Sequence, residues 1–579
     1  MLWPVSTRRL LPAGSRGQSA AFVPAISGLC QTTAHMYLSM ARSGRRWILG
    51  LIWLAFLARG LFYVSIMPMW EGFDEYAHFG FADYMSSKWK LPQPDERVSA
   101  EISRSLELVP LPWSLKDWQT PSTQSMTHDT FWQLSAEERD QRVTALKAIP
   151  PDFQTRKEKQ YIEESKQPPL YYVLAAGFYR VLGNTDLTTR VFLLRLFGVL
   201  LASLVVPLTF MVAKDVLVDP EQALGVAALV ATMPGLFIDV SRICNDALAI
   251  ALFSLLIYAL LKAESWGRYG WPLIALLLTA GLLTKAYFVA AIPAVAVAGA
   301  MSIWKTPRQR RLRCAGFIAS CLALGLVLCG WWYLKSLSAG GPIWADAAPS
   351  TSMSGRALLS RAMEMPWRNA ITVASSSHVW IGGWSFLGVR SWMYQVFSWI
   401  FLFGSVGSFI RMILQKSQSL MLLWMVFLGF WASMLYHAFI NFINVGNPAT
   451  TGWYLYAVVT CEMTIVASGL YYLIPQRWSS VVSSLTAFFL MLEAYATHFV
   501  LIPYYTGLIR HNASGTLETF QLKQASALGW GELLNRVAIN KPDFLVPAVL
   551  ILLWVVFLAA SLYLLIVGIH CARHRPVEI

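Results

Sequence analysis

Long apolar runs recur along the whole chain, separated by short polar links and by a few longer polar segments. About 20 apolar residues in a helix are enough to cross the hydrocarbon core of a bilayer. The runs predict twelve membrane-spanning helices, near residues 47–66, 191–213, 222–240, 246–262, 271–285, 286–303, 315–335, 392–411, 420–440, 453–474, 480–502 and 544–569. The chain is therefore predicted to be an all-α polytopic membrane protein, because a helix satisfies its own backbone hydrogen bonds in lipid.

Basic residues orient these helices, since Lys and Arg accumulate in cytoplasmic loops. They precede the first predicted helix and recur in loops of the same parity: Arg42, Arg45 and Arg46, residues 305–313, Arg411 and Lys416, Arg477, and Arg573 and Arg575. Both termini are therefore predicted to lie on the cytoplasmic side. The polar segments 67–190, 336–391, 441–452 and 503–543 are predicted to lie outside, and the first of them carries amphipathic helices.

The apolar run at residues 271–304 is interrupted only by Lys285, and both of its flanks are basic. If both flanks are cytoplasmic, the run crosses the membrane twice in two short helices. Lys285 is then at the outer turn between them. A single long tilted helix is the alternative.

Composition supports this class and excludes others. Of the 579 residues, 56% are hydrophobic and 13% are charged, whereas soluble proteins carry roughly 25% charged residues. The net charge of +14 follows from the cytoplasmic loops, so it does not indicate a nucleic-acid partner. The seven cysteines are too scattered for a disulfide framework or a zinc site.

The same pattern divides the chain into segments. We expect a disordered cytoplasmic tail at 1–46, a transmembrane core at 47–335 with its first outer loop at 67–190, and an outer loop at 336–391. A C-terminal transmembrane bundle at 392–569 contains the outer loop 503–543, and a short cytoplasmic tail follows at 570–579.

The stretch "MWEGFDEYAHFGFADYM" at 69–85 follows the first predicted helix directly and contains the carboxylates Glu71, Asp74, Glu75 and Asp83, with His78. In a helix, Asp74 and His78 form an i,i+4 pair, as do Glu71 and Glu75. Like charges packed this closely raise the pKa of at least one carboxylate, which can then take a proton from a hydroxyl group. The alternative is a solvated acidic helix start, favoured by the helix dipole.

Several motifs occur in a recognisable order over about residues 47–300. They are "FDEYAH" at 73–78, "KWKLP" at 88–92, "QPPLYY" at 167–172, Arg190 and Arg195, and "GLLTKAYF" around Lys285. This order resembles the polyprenyl-phosphate-sugar-dependent glycosyltransferases of the GT-C superfamily. The closest likeness is to the branch of protein O-mannosyltransferases and bacterial aminoarabinose transferases. "TGWYLY" at 451–456 stands where relatives have a Gly-Arg-Tyr turn, but it has no arginine.

The resemblance implies inverting transfer of a sugar from a polyprenyl-phosphate donor to an acceptor hydroxyl at the outer face. Asp74 would be the catalytic base, with Glu75 and His78 positioning the acceptor or tuning Asp74. A divalent metal bridging these three residues is an alternative, because carboxylates and imidazole suit such ions.

The expected substrate-binding residues come from several segments. Lys285 and Arg242 are expected to bind the phosphate, although both could instead reach towards lipid headgroups. Trp380, Trp384, Trp453 and Tyr454 could stack on the sugar, or form an interfacial aromatic belt. The remaining candidates are Gln167, Tyr171, Arg190, Arg195, Asn245 and Asp246.

The expected partners are the lipid-linked donor, membrane lipids and a glycan, lipid or protein acceptor, in a bacterial inner membrane with the site facing the periplasm. A transporter or flippase is the competing class, and an oligosaccharide ligase or polymerase is the rival among enzymes. Transporters commonly consist of two related halves with a site at the midplane. Here the two halves differ in loop length, and the carboxylates are concentrated at the outer surface.

Overall fold

The computed structural model describes residues 23–115, 126–150, 153, 157–183, 185–217, 219–338, 353–475 and 478–573. Helices account for most of these residues, and the four strands are two to five residues long, which confirms the predicted all-α class. The chain divides into two compact units, Met1–Gly50 and Leu51–Ile579. Residues 1–22 of the predicted tail lie outside the described part, whereas helix α1 already begins at Val23.

The first helix leads into a folded outer segment of short helices and strands. Helix α1 is Val23–Ile66, and its apolar part is Gly44–Ile66. The outer segment contains α2 Glu75–Lys88, β1 Arg97–Ser99, α3 Ala100–Leu108, β2 Pro110–Leu111, β3 Met126–Thr127, α4 His128–Phe131, α5 Ala136–Lys147, β4 Lys157–Tyr161 and α6 Leu170–Leu182. Strands β1 and β4 pair antiparallel, and β2 and β3 pair parallel. Helix α2 packs on α6, which places the start of α2 close to the membrane helices.

The central bundle follows. Its helices are α7 Leu187–Ala202, α8 Val205–Leu217, α9 Pro220–Val230, α10 Pro234–Val240, α11 Asp246–Lys262, α12 Gly270–Leu282, α13 Ile292–Lys305 and α14 Arg311–Ser338. Asp186 caps α7 by accepting from the backbone N–H of Thr189, and Pro220 suits the first turn of α9. Helix α11 packs against α7, α8 and α12, so it occupies the middle of this bundle.

The C-terminal half contains α15 Gly355–Glu364, α16 Trp367–Val379, α17 Ser391–Gln415, α18 Gln418–Val445, α19 Val459–Leu473, α20 Trp478–Tyr495, α21 Ile502–Tyr505, α22 Leu522–Leu528, α23 Trp530–Ala538 and α24 Pro547–Arg573. Of the apolar stretch in Gly452–Leu473, 94% is buried, against 17% in Arg308–Ser338. Helix α19 is therefore central, and α14 is peripheral with apolar side chains exposed as they would be to lipid. Buried Arg59 of α1 pairs with buried Glu493 of α20, which ties the two halves together.

Helices occur at all twelve predicted positions, but some of them are too short to be identified as membrane-spanning helices by length alone. Within the described ranges, nine stretches are long and apolar enough to cross a membrane, and α9–α10 is a tenth if this pair, bent by 60°, is one span. Helices α11 and α12 have 17 and 13 residues. The number twelve therefore stays a prediction.

The run at 271–304 is divided in two, as predicted, and is not one long helix. Helix α12 ends at Leu282, a 3-10 turn covers Ala286–Ala291, and α13 begins at Ile292. Lys285 lies in extended backbone at this break. The backbone N–H of Leu170, the first residue of α6, donates to the carbonyl of Leu283 at 2.8 Å. The outer segment is thus joined directly to the break that carries Lys285.

Candidate functional site

Asp74 lies immediately before α2 and has a left-handed backbone conformation, with φ 53°. This conformation is unusual outside glycine, although Asp tolerates it better than most residues. The Asp74 carboxylate is half-buried and makes no side-chain cap hydrogen bond to its helix. Burial raises the pKa of this carboxyl, while the nearby positive charges of Arg242 and Lys285 act in the opposite direction. The group is therefore a partly accessible carboxylate that faces two cations.

Glu75, the next residue, is held very differently. Both of its oxygens accept from Arg195 of α7, at 2.7 Å from Nε and 2.6 Å from Nη2, and Oε1 also accepts from the backbone N–H of Ile243 at 3.0 Å. Glu75 and Arg195 are both buried. Arg195 further donates to the carbonyls of Met67 and Pro68. This ion pair links the end of α1 to α7. Glu75 and Arg195, both predicted as site residues, therefore make a contact that stabilises the fold.

Glu71 is likewise used for structure. Its carboxylate accepts from the backbone N–H and the hydroxyl of Ser385, at 2.9 and 3.1 Å, and lies 3.2 Å from Nε2 of His128. Asp83 accepts from the Tyr179 hydroxyl at 2.7 Å, and burial raises the pKa of Asp83 to about 6. Of the four clustered carboxylates, Asp74 is thus the one that the protein leaves half-exposed. The pKa of Asp74 is raised first by burial, and the like charge that adds to this shift is that of Asp246, which lies outside the 69–85 stretch.

His78 is buried one turn beyond Asp74. Its Nδ1 lies 2.7 Å from the hydroxyl of Tyr172 on α6 and 3.9 Å from Oε2 of Glu164. Burial, together with the charges of Arg242 and Lys285, lowers the pKa of His78 well below 6.5. The imidazole is therefore neutral at physiological pH, and it connects α2 to the segment that precedes α6.

Arg242 and Lys285 share one carboxylate. Lys285 Nζ lies 2.6 Å from each oxygen of Asp246, at the start of α11, and Arg242 Nη2 lies 3.0 Å from Oδ2 of the same residue. Arg242 also donates to Asp239 at 2.6 Å and to the carbonyl of Phe73 at 2.9 Å. The structure thus brings the predicted cations together beside Asp74. It also pairs them with carboxylates instead of leaving them free or reaching for headgroups.

Neutral and aromatic groups complete the surroundings. The Asn245 amide donates to Gln167 at 3.3 Å and to the carbonyl of Thr284 at 3.2 Å. Trp453 stacks on Phe73 with a centroid distance of 3.8 Å, and Lys285 Nζ lies 5.1 Å from the Tyr454 ring. These contacts bring Gln167, Asn245, Trp453 and Tyr454 to the same region.

Other predicted candidates are placed in packing positions. Tyr171 is fully buried in α6, and Trp380 is fully buried after α16. Trp384 is half-buried and stacks on Tyr76 at 6.1 Å. Arg190 is buried and donates to Glu101 and Tyr179, which joins α7 to α3 and α6.

The structure adds residues that were not singled out in the sequence. Glu164 lies beside His78, Asp239 binds Arg242, and Phe73 links Arg242 to Trp453. Asp239 could have been found, because it is three residues before Arg242, the spacing at which side chains meet in a helical turn. Glu164 is three residues before the "QPPLYY" motif, but no spacing rule connects it to Asp74.

A divalent metal does not fit the predicted ligand set, because Arg195 engages both oxygens of Glu75 and Tyr172 engages His78. Among the residues that the structure describes, one group could place ligand atoms within 4.8 Å of one another: Asp239, Cys244 and Asp246. Arg242 and Lys285 already bind its carboxylates. Burial raises the pKa of the Cys244 thiol to about 12, whereas a metal binds the thiolate. This group does not fit a metal either.

A family model described as "Dolichyl-phosphate-mannose-protein mannosyltransferase" matches residues 166–333. The matched segment contains Gln167, Arg242, Asp246 and Lys285 but begins after Asp74. No curated protein sequence matches the chain. The match confirms the predicted resemblance to GT-C membrane glycosyltransferases, and with it the prediction of an enzyme.

Two solved structures align with the chain. The crystal structure of ArnT from Cupriavidus metallidurans in the apo state has 13% identity and a TM-score of 0.41, with 93% of this chain and 78% of that chain covered. The archaeal oligosaccharyltransferase AglB from Archaeoglobus fulgidus, in complex with an inhibitory peptide and a dolichol-phosphate, has 12% identity and a TM-score of 0.39. That alignment covers 78% of this chain and 54% of AglB. Both TM-scores are below 0.5, so no property of either protein is transferred to this site.

Proposed function

We propose that the chain transfers a sugar from a polyprenyl-phosphate donor to an acceptor hydroxyl, and the family-model match over residues 166–333 supports this proposal. The observation that carries the proposal is the placement of Asp74. It is a half-buried carboxylate beside Arg242 and Lys285, whereas the neighbouring Glu71 and Glu75 are consumed by structural contacts. A base next to cations is the arrangement that such a transfer needs.

The reaction is a single displacement. Asp74 takes the proton of the acceptor hydroxyl as its oxygen bonds to the anomeric carbon. The bond between that carbon and the phosphate oxygen breaks, and the lipid phosphate leaves with the electron pair. Attack from the side opposite the phosphate inverts the anomeric configuration.

Lys285 and Arg242 support the phosphate in this proposal. An ammonium has three N–H donors and a guanidinium has five, so neither is exhausted by the contacts to Asp239, Asp246 and Phe73. Their charges stabilise the leaving phosphate. In this proposal Gln167 and Asn245 bind sugar hydroxyls, and Trp453 and Tyr454 pack on the sugar ring.

The setting follows from the same proposal. We place the site on the outer face, in a bacterial inner membrane facing the periplasm, because the basic loops are predicted to be cytoplasmic. The acceptor is a glycan, a lipid or a protein that carries a hydroxyl group. The chain is proposed to organise as a catalytic core at 47–335 and a C-terminal bundle at 392–569, joined by the outer loop 336–391.

The test is a transfer assay on the purified protein, with its co-purified lipids identified by mass spectrometry. We expect a polyprenyl-phosphate sugar among these lipids, and release of polyprenyl phosphate together with sugar transfer. Movement of intact lipid-linked sugar across vesicles, without release of the phosphate, would instead establish a flippase. Transfer from a polyprenyl diphosphate oligosaccharide would establish a ligase.

A further inference from the structure

Glu164 is a buried acid for which the proposed reaction has no role so far. It lies in the 3-10 turn Glu163–Lys166, which Gln167 and two prolines connect to α6. Its side chain is only 13% exposed, and its Oε2 atom is buried with no hydrogen-bond partner in the described part of the chain. A buried oxygen without a partner costs free energy, so such an atom calls for an explanation, and a bound ligand is one.

The surroundings of Glu164 include the groups proposed to do the chemistry. The titratable and charged groups around it come from four segments. They are Asp74 just before α2, His78 on α2, Tyr172 on α6, Arg242 just before α11, Asp246 at the start of α11, and Lys285 at the α12–α13 break. His78 Nδ1 is 3.9 Å from Oε2 and is engaged by the Tyr172 hydroxyl at 2.7 Å. The unpartnered oxygen is thus close to His78 and within electrostatic reach of Asp74 and the two cations.

These surroundings favour the neutral form of Glu164. Burial, and then the negative charge of Asp74, raise the pKa of Glu164 to about 8, against the opposing effect of Lys285 and Arg242. At pH 7 most of the population therefore carries the proton. A protonated carboxyl has an O–H donor, which an ionised one lacks.

The charges around Glu164 explain why a protonated side chain would favour donor binding. Arg242 and Lys285 are already paired with Asp239 and Asp246, and Asp74 must be ionised to act as a base. A lipid phosphodiester brings a further negative charge. An ionised Glu164 would repel it, whereas a neutral Glu164 can donate a hydrogen bond to it.

We propose that Glu164 binds the lipid-linked donor in its protonated form, with the carboxyl O–H donating a hydrogen bond to an oxygen of the donor phosphate. The inference rests on the proposed function, because it takes a phosphate-linked donor as the ligand. The proton stays on Glu164 during transfer, and Asp74 takes the proton of the acceptor. Donor binding is then linked to protonation of Glu164.

The test measures the binding of undecaprenyl-phosphate mannose, whose phosphodiester charge is constant over the pH range used, to the purified full-length protein. In the wild type the Kd should rise about tenfold between pH 7 and pH 9, as Glu164 loses its proton. Glu164→Gln keeps a neutral side chain with N–H donors. It should bind as the wild type does at pH 7, and about tenfold more tightly than the wild type at pH 9.

The adjacent Glu163 supplies the matched control. Burial raises its pKa as well, but a hydrogen bond from Tyr76 opposes this shift and its side chain is exposed, so Glu163→Gln should keep the wild-type pH dependence. Glu164→Ala should weaken binding at both pH values, since it removes the hydrogen bond. If Glu164→Gln retains the rise in Kd between pH 7 and pH 9, or binds poorly at pH 7, the proposal is wrong.

Infrared spectroscopy separates this inference from the proposed function, because it needs no ligand. The wild type should show a protonated-carboxyl band that titrates near pH 8 and is missing in Glu164→Gln. If this band is present but undecaprenyl-phosphate mannose does not bind at any pH, the proposed donor is wrong, whereas the protonation of Glu164 is confirmed. If the band is absent at pH 7, the inference fails whatever the protein binds.

Discussion

Arg195 donates to both carboxylate oxygens of Glu75, whereas Asp74, one residue earlier, is left half-exposed without a cap hydrogen bond. Adjacent acids in the sequence therefore have opposite environments. Asp74 has a left-handed backbone and lies within electrostatic reach of Arg242 and Lys285, whereas Glu75 is held by Arg195. This difference separates a structural acid from the proposed base.

Glu75→Gln should destabilise the protein. The change leaves the buried guanidinium of Arg195 without its counter-charge, and breaking a buried ion pair from one side costs about 3–5 kcal/mol. We expect a lower unfolding midpoint in detergent. The double variant Glu75→Leu with Arg195→Met should recover part of the loss, because no charge stays unpaired. A Glu75→Gln protein with wild-type stability but no activity would instead give Glu75 a direct role in catalysis.

Lys285→Ala should raise the KM for the donor and should lower the unfolding midpoint less than Arg242→Ala does, because Arg242 stays paired with Asp246. Lys285 binds Asp246 at the edge of the network, whereas Arg242 also holds Asp239 and the backbone of Phe73. Arg242→Ala should therefore both raise the KM and lower the unfolding midpoint. Contacts to the phosphate act in the ground state and the transition state alike, so the KM responds more than kcat.

A control for Lys285 is Lys262, the last residue of α11. Lys262 pairs with Asp215 at 2.7 Å, outside the candidate site, so Lys262→Ala should leave the KM for the donor unchanged. Donor dependence that is identical in Lys285→Ala, Arg242→Ala and the wild type would remove both cations from the phosphate site.

Topology can be tested with single cysteines introduced at exposed positions. Ser514, between α21 and α22, and Gln309, between α13 and α14, are both exposed. In intact cells Ser514→Cys should react with an impermeant maleimide, and Gln309→Cys should react only after permeabilisation. The parent protein, with its own cysteines, gives the background. Reversed labelling would overturn the outer-face site, since Asp74 and Ser514 are predicted to be on the same side.

The sequence pointed to Asp74, Arg242, Asp246 and Lys285 as site candidates through the order of its motifs and the rarity of intramembrane charges, and its basic flanks predicted a break at Lys285. It could not show which acid of the cluster stays accessible. That depends on Arg195, 120 residues further along the chain, which pairs with Glu75 only when α7 packs beside the end of α1. Arg190 was placed at the site by motif order, but it packs against Glu101 of α3, a contact that no local pattern indicates.

Asp74→Asn should reduce kcat by roughly 10²–10⁴, the usual contribution of a general base, because the amide keeps the size of the side chain but cannot accept the proton. Expression and unfolding midpoint should stay close to those of the wild type, since Asp74 makes no cap hydrogen bond. In the wild type, kcat should fall as the pH drops through the pKa of Asp74, which burial raises above its ordinary value.

The matched control is Asp83→Asn on the same helix, where the carboxylate accepts from the Tyr179 hydroxyl and is buried away from solvent. This variant should keep most of the transfer activity, whereas His78→Ala should lose less than Asp74→Asn because His78 only supports the pocket. If Asp74→Asn fails to fold while Asp83→Asn is normal, Asp74 is a structural cap and not a base. If Asp74→Asn transfers sugar at the wild-type rate, the acidic cluster is not the catalytic site, because no other carboxylate of the 69–85 stretch is left half-exposed beside both cations.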